Sequence, residues 1–556
     1  MAFSRPTERQ CAREPTRIAL RAVNRHTFPA KPGPLTRVRT TLARGLESHQ
    51  AGKLDEAERF YRQVLTLHPE HFDALHMLGV VALQKGRVDY AIDLIVRALR
   101  RKPDIPAAHG NLASALSRSG RLEEALVAHR RHIGLCPTQI DPHLKVVALL
   151  GQLGRTAEAL ASSERTIGLF PDAAVAHLTH AVALKDLQEY EAALGACDKA
   201  LELKPQYADA WDKRGAALRE LGRLEEALAS HERAFALQPD LTAASMHAGM
   251  IRLQLGDLEG GWALYESRTK SNGISPVPAW PQPRWTGPQP LAGTRLLLHC
   301  EQGLGDTIQF CRYANLAEAQ GAQVILSVQR SLRALIASIG QKICVVAETD
   351  TAPAFDWHCS LLSLPLAFKT TLAAIPAGLP YLSADRSRVA RWREVLGPAG
   401  FKIGISWQGS KLPIDVGRSF PVVLFRSLCG LPGIRLISLQ KNAGVEQLDS
   451  LPPDLRIERL GAEFDTGANA FLDTAAIMES LDLVITSDTS IAHLAGALGR
   501  PTWVALKHIP DWRWLLGRQD SPWYPSHTLF RQERRGDWGG VFRQIRDALA
   551  TRLGAV

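Results

Sequence analysis

One spacing constrains this chain more than any other feature. Gly52, Gly86, Gly120, Gly154, Gly222 and Gly256 stand in a 34-residue register, and Gln188 fills the one slot where glycine is missing. Pro69, Pro103, Pro137, Pro171, Pro205 and Pro239 keep the same interval, as do Ala57, Ala91, Ala125, Ala159, Ala193 and Ala227. Each residue type has a mechanical reason to recur. Glycine ends a helix in the left-handed conformation, alanine lets two helices approach closely, and proline breaks the chain before the next unit. The register predicts stacked helical hairpins from residue 38 to 275, each unable to bury its apolar face without its neighbours.

This period and pattern resemble the tetratricopeptide repeat, in seven copies. The resemblance implies a solenoid with a concave groove, a surface for a protein partner. His109, His143 and His177 also recur at 34 residues, but they hold the slot that Trp211 takes in the sixth unit. Adjacent repeats set such positions too far apart to share a metal, so packing is expected. The eukaryotic O-linked N-acetylglucosamine transferases carry an asparagine ladder along the groove. The matching positions here read Ala43, Met77, Asn111, Lys145, Thr179, Lys213 and His247, so that ladder is absent. The last unit departs from the pattern, with Gly261 and Trp262, as expected of a repeat that caps a stack.

Prolines crowd 271–290, which predicts a stiff linker over 276–293 with Trp280 and Trp285 pinned to a neighbouring domain. Beyond it the apolar period shifts to strands alternating with helices, first over 294–400 and again over 401–556. Strands are expected at 295–300, 323–328 and 342–347, with a helix from Asp306 to Ala319. In the second half they are expected from Lys402, over 435–439, at Leu483 to Ile485 and at Thr502 to Leu506.

Two turns carry chemistry. After the first strand, Gly303 and Gly305 allow a tight turn and close approach of a ligand, with Asp306 at a helix N-terminus as either a cap or a general base. A third glycine is missing, since Ile308 holds its place, which argues against a dinucleotide fingerprint. In the second half, Ser487, Asp488, Thr489 and Ser490 join a buried strand to a helix stopped by Gly499 and Pro501. Such a turn offers backbone N–H groups and hydroxyls at the positive end of a helix dipole, a place for a phosphate or an ordinary helix cap.

Residues 290–556 resemble the heptosyltransferase-like superfamily, glycosyltransferase family 9, through EQGLGDTIQF (301–310), SWQGS (406–410), RSFP (418–421), SLQKN (438–442), SDTSIAHLAGALGRP (487–501) and PDWRWLLGRQDSPWYP (510–525). They are still more similar to bacterial proteins that fuse tetratricopeptide repeats to such a domain. The resemblance implies an all-α repeat solenoid followed by a GT-B domain of two Rossmann-like α/β halves, the acceptor facing 294–400 and a nucleotide sugar held by 401–556. It implies Asp306 as catalytic base, and Ser487, Asp488, Thr489, Ser490, His493 and Gln440 at the donor. Lys411 and Arg418 are both candidates for the cation that meets the diphosphate. His493 packed against the sheet, and Trp512, Trp514, Trp523 and Tyr524 as a structural cluster, stand as the plainer readings.

The implied reaction is inverting transfer of a sugar to a protein or glycan acceptor. No Asp-x-Asp motif occurs in the chain, so the expected site has no metal and no cofactor beyond the donor. A repeat scaffold with a degenerate transferase domain, and a lipopolysaccharide-type heptosyltransferase, are the alternatives. The net charge is +10, but residues 1–40 hold +7 of it, which leaves no nucleic-acid footprint on the body. Residues 1–37 read as a basic disordered tail. No apolar run reaches transmembrane length, and eight scattered cysteines suit a cytoplasmic protein.

Overall fold

The computed structural model describes residues 34–270, 280–410, 417–467 and 469–554. The greater part of the basic tail and Lys411 therefore lie outside the described residues. The chain forms two compact units, Met1–Leu221 and Gly222–Val556.

In the first unit the described residues form antiparallel helical hairpins, such as Phe72–Gln84 with Val88–Arg101 and Pro106–Arg118 with Leu122–Leu135. The repeat glycines close each hairpin as their register predicts: Gly86 has φ +78°, and Arg87 N–H reaches back to the Ala82 carbonyl at 2.9 Å. Gln188 adopts the same left-handed φ of +63°, a conformation that disfavours a side chain. The register alanines are buried throughout, Ala57, Ala91 and Ala125 at 0% exposure. The histidine series is a packing device. His109, His143 and His177 each donate a ring N–H to the carbonyl of the proline six residues earlier, at 2.7, 3.0 and 2.7 Å, and Trp211 Nε1 does the same to Pro205 at 3.0 Å.

The second unit begins with the helices Leu224–Leu237, Thr242–Gln254 and Leu258–Tyr265, followed by a 3-10 turn Glu266–Lys270. Two parallel sheets follow. The first contains β1 (Arg295–His299), β2 (Gln323–Val328), β3 (Cys344–Ala347) and β4 (Trp357–Ser360), in the order β3-β2-β1-β4. The second contains β5 (Phe401–Ser406), β6 (Ile434–Ser438), β7 (Ile457–Glu458), β8 (Leu483–Ser487), β9 (Thr502–Leu506) and β10 (His527–Arg531), in the order β10-β9-β8-β5-β6-β7. The latter is the doubly wound order, whose topological switch lies between β5 and β8. β8 and β9 are buried along their whole length, which explains their unbroken apolar runs.

The expected boundary at the proline-rich stretch is not where the core divides. Leu253, Leu258, Trp262 and Tyr265, all from the last repeat, belong to the same buried cluster as Leu298, Phe310, Tyr313, Trp512 and Trp523. Trp262 packs edge-on against Trp512 with centroids 5.2 Å apart, and its indole N–H donates to the Thr370 carbonyl at 2.9 Å. Gln254 Nε2 donates to the Pro510 carbonyl at 3.0 Å. A Cβ on Gly261 would lie 2.7 Å from Leu253 Cγ, so this glycine allows the tight hairpin that presents Trp262. The departure of the last repeat from its pattern thus serves burial against the α/β core rather than a solvated cap.

A buried ion network reinforces this junction. Arg268, fully buried, donates to Glu301 Oε1 at 2.7 Å and to Ser363 Oγ at 2.6 Å, and Ser363 donates on to Glu266 at 2.9 Å. In the described part of the linker, Trp280 rests on His299 and His358 at 4.8 and 4.9 Å, and Trp285 is buried against Phe368. Both tryptophans are pinned to the first sheet.

Candidate functional site

The first turn is set by β1. Its chain continues through Glu301 into the helix Leu304–Phe310, and a second helix, Tyr313–Ala319, follows at once. The single helix expected from Asp306 to Ala319 is therefore two. Neither turn glycine uses a left-handed conformation, and Gly303 has φ −68°. Gly305 is needed instead for close approach: a Cβ there would stand 2.9 Å from His493 Cδ2 and 3.5 Å from Ser490 Cα. The Gly303–Asp306 turn of the first sheet is packed directly on the start of the helix Ser490–Ala497 that follows β8. Two motifs nearly two hundred residues apart in sequence are thus brought to one place.

Asp306 does cap its helix, since its Oδ2 accepts the Gly303 N–H at 2.9 Å. Its Oδ1 accepts a short hydrogen bond from Arg513 Nη2. The carboxylate keeps a fifth of its surface exposed. Burial pushes the Asp306 carboxyl up from its ordinary value, against the opposing pull of Arg513.

Arg513 was not among the residues singled out in the sequence, although it sits within a quoted motif. It lies on the short turn Trp512–Trp514 after β9. Besides Asp306 it donates to Gln309 Oε1 at 2.7 Å and to Asp511 Oδ1 at 2.9 Å, and its guanidinium stacks 4.2 Å above the Trp512 ring. Burial disfavours its charge, but Asp511 and Asp306 more than offset that and keep it protonated. The next residue but one, Leu515, is held at φ +52°, ψ −164°, a region costly for any side chain.

In the second motif Ser487 is fully buried, and its Oγ has no hydrogen-bond partner among the described residues. Asp488 is buried as well. Burial first, and then the charge of Asp511, pushes its carboxyl up to about 6, with Arg418 opposing. Thr489 begins the helix without a side-chain cap bond, its Oγ1 lying 3.3 Å from Thr486 Oγ1, and Ser490 is half-buried. The expected hydroxyls and carboxylate therefore gather at one helix end, with the charge of Arg418 felt by both Asp488 and His493.

Three sets of these residues are engaged within the protein. His493 is a core residue: it is 6% exposed, hydrogen-bonded to Tyr524 Oη at 3.0 Å and stacked on Trp514 at 5.6 Å. Burial, followed by the charge of Arg513, holds it neutral, well below the usual imidazole range. Gln440 is spent within the protein. Its Oε1 accepts from Ser406 Oγ, Trp407 N and Gln408 N at 3.0, 3.0 and 3.1 Å, and its Nε2 donates to the carbonyls of Gln408 and Ala443. It ties the ends of β5 and β6 together. Trp512, Trp514, Trp523 and Tyr524 are buried to within 1% and form the structural cluster of the plainer reading.

At the same end of β6 lies a cavity of about 370 Å³, lined among others by Ser438, Gln440, Lys441, Arg459, Leu460 and Phe464. Lys441 bonds the Phe464 carbonyl and sits 5.4 Å over its ring. No spacing rule could find this cavity, because the stretch around β7 is nearly all irregular.

The described residues include no helix long and apolar enough to cross a membrane. Tetratricopeptide repeat models match residues 48–105, 89–140, 149–208 and 196–229. The chain is 32% identical over 314 residues to protein FlbA of Caulobacter vibrioides. That match takes in 52% of this chain and 52% of FlbA, so the chain spans about half the length of the curated relative it matches. Among solved structures it is similar to a tetratricopeptide repeat protein from Parabacteroides merdae, with 17% identity, TM-score 0.39, and coverage of 43% of this chain and 94% of that one. Yeast Tom70 is similar at 15% identity and TM-score 0.33, over 43% of this chain and 51% of its own. The N-terminal region of this chain is a tetratricopeptide repeat array, and the region after it carries two parallel α/β sheets.

Proposed function

We propose that the α/β region is a GT-B glycosyltransferase that moves a sugar from a nucleotide-sugar donor to a protein or glycan acceptor, with the repeats recruiting acceptor or partner. The observation that carries this reading is the packing of the Gly303–Asp306 turn on the start of the Ser490 helix. A carboxylate and a phosphate-type helix terminus then come together beside the switch point of the second sheet, where ligands of such sheets bind.

In this reading the diphosphate rests on the Ser490 helix N-terminus with Ser490 and Arg418, and the nucleoside lies toward the cavity at β6. Asp306 takes the acceptor hydroxyl proton as the acceptor oxygen bonds to the anomeric carbon. The bond from that carbon to the phosphate oxygen breaks on the opposite side, and the nucleoside diphosphate leaves with the electron pair. The helix dipole and nearby guanidinium groups stabilise that charge.

Calorimetry against UDP, GDP, ADP and CDP tests the reading directly, and binding of none of them would leave the scaffold alternative. Ser490→Ala should weaken the diphosphate that binds by about 1.5–3 kcal/mol while the melting temperature holds. Gly305→Ala is expected to act through position. The added methyl must push the two turns apart at His493. A displacement near 1 Å costs about 10²-fold in rate, whereas alanine favours the helix itself by about 1 kcal/mol. Turnover and thermal unfolding of this variant, measured together, should therefore part company.

A further inference from the structure

Arg513 presents an anomaly for a base mechanism. The one carboxylate placed to accept a proton is already held by a guanidinium from the opposite half of the site. An ion pair of this kind opposes the upward push of burial on the carboxyl and occupies one of its oxygens. Yet Arg513 is not committed to Asp306 alone. A second carboxylate, Asp511, holds its Nη1, and Gln309 and the Trp512 ring fix its plane. It could lose the Asp306 contact and remain charged, stacked and anchored.

Arg513 lies close to the donor side. The turn whose Asp306 it holds packs on Ser490, where a Cβ on Gly305 would lie 3.5 Å from Ser490 Cα, and the neighbouring Trp514 stacks on His493 at 5.6 Å. Its charge acts on both His493 and Asp488. A diphosphate placed at that helix end would carry more charge than one carboxylate and would compete for the same Nη2. Planar guanidinium groups bind phosphate oxygens at least as well as carboxylates.

Resting on the glycosyltransferase reading, we propose that Arg513 is a shared cation that couples donor binding to the base. With the donor site empty it neutralises Asp306, and with a nucleoside diphosphate group in place it turns to the phosphate and releases the carboxylate. Arg513 and the Gly303 N–H contact Asp306, and the charges of Asp511, Arg268 and Tyr265 act at the same place. Of these, only Arg513 hydrogen-bonds the carboxylate from the donor side. The arrangement keeps the base inactive until a donor is present. It also supplies a guanidinium to the leaving group at the moment its charge develops.

The test is a double-mutant cycle on the full chain, read as affinity for the nucleoside diphosphate that the wild type binds. Arg513→Gln should weaken binding about 10- to 100-fold, the value of a charge-assisted contact. Arg513→Lys should recover part of it. Asp306→Asn should act in the opposite direction and tighten binding several-fold, because it frees the guanidinium. In the double variant that gain should vanish. The corresponding nucleoside, without phosphate, should bind all forms alike. Unchanged affinity in Asp306→Asn, or a gain that survives in the double variant, overturns the coupling and leaves Arg513 a structural residue. If Arg513→Gln does not fold, the Asp306→Asn and Arg513→Lys arms still decide it. A wild type that binds no nucleoside diphosphate removes the glycosyltransferase reading itself, and the coupling with it.

Discussion

A chain that begins at residue 290 should unfold or aggregate, whereas one that begins at Gly222 should fold. The shorter fragment keeps every strand, yet it strips Leu253, Leu258, Trp262 and Tyr265 from the core they share with the α/β sheets. It also removes Arg268 and leaves Glu301 a buried carboxylate without its cation. Breaking such a pair costs about 3–5 kcal/mol, and truncating a buried tryptophan to alanine another 3–5 kcal/mol. Either loss is a large part of the 5–15 kcal/mol that holds a typical domain together. Trp262→Ala in the full chain should cost about 3–5 kcal/mol of that on its own. Urea unfolding of the two fragments and of this variant checks it, and a cooperative transition in the 290 fragment would refute the shared core.

Asp306→Asn should lower transfer by about 10²- to 10⁴-fold, the usual contribution of a positioned base. Asparagine still accepts the Gly303 N–H, so the cap survives. The lost charge weakens the contact with Arg513, which retains Asp511, and a stability loss of about 1–3 kcal/mol is expected. Nucleotide affinity should not fall. Turnover near that of the wild type would make Asp306 a cap only.

The sequence made the repeats legible because glycine, alanine and proline each answer a backbone demand that does not depend on distant residues. β9 is found at the residues its apolar run predicts, and the helix after β8 begins at Ser490 as its capping residues indicate. β4, β7 and β10 were not foreseen. Their runs are short and interrupted, and they exist because neighbouring strands pair with them. The same distinction applies in the site. Asp306, Asp488 and Ser490 are visible from local turn chemistry. The spending of Gln440, the burial of His493 and the part played by Arg513 follow from contacts across tens to hundreds of residues, which periodicity does not encode.

The welding of the last repeat to the sheets bears on how such a chain can change over generations. Upstream of Leu221, each hairpin ends on the same backbone turn and buries the same small residues, so units can be duplicated, deleted or exchanged in register. Downstream, the tryptophan and arginine of the final repeat belong to another core, and a recombination breakpoint there would disrupt it. The repeats upstream are thus free to diversify by shuffling, while the last unit is inherited together with the α/β sheets it packs on.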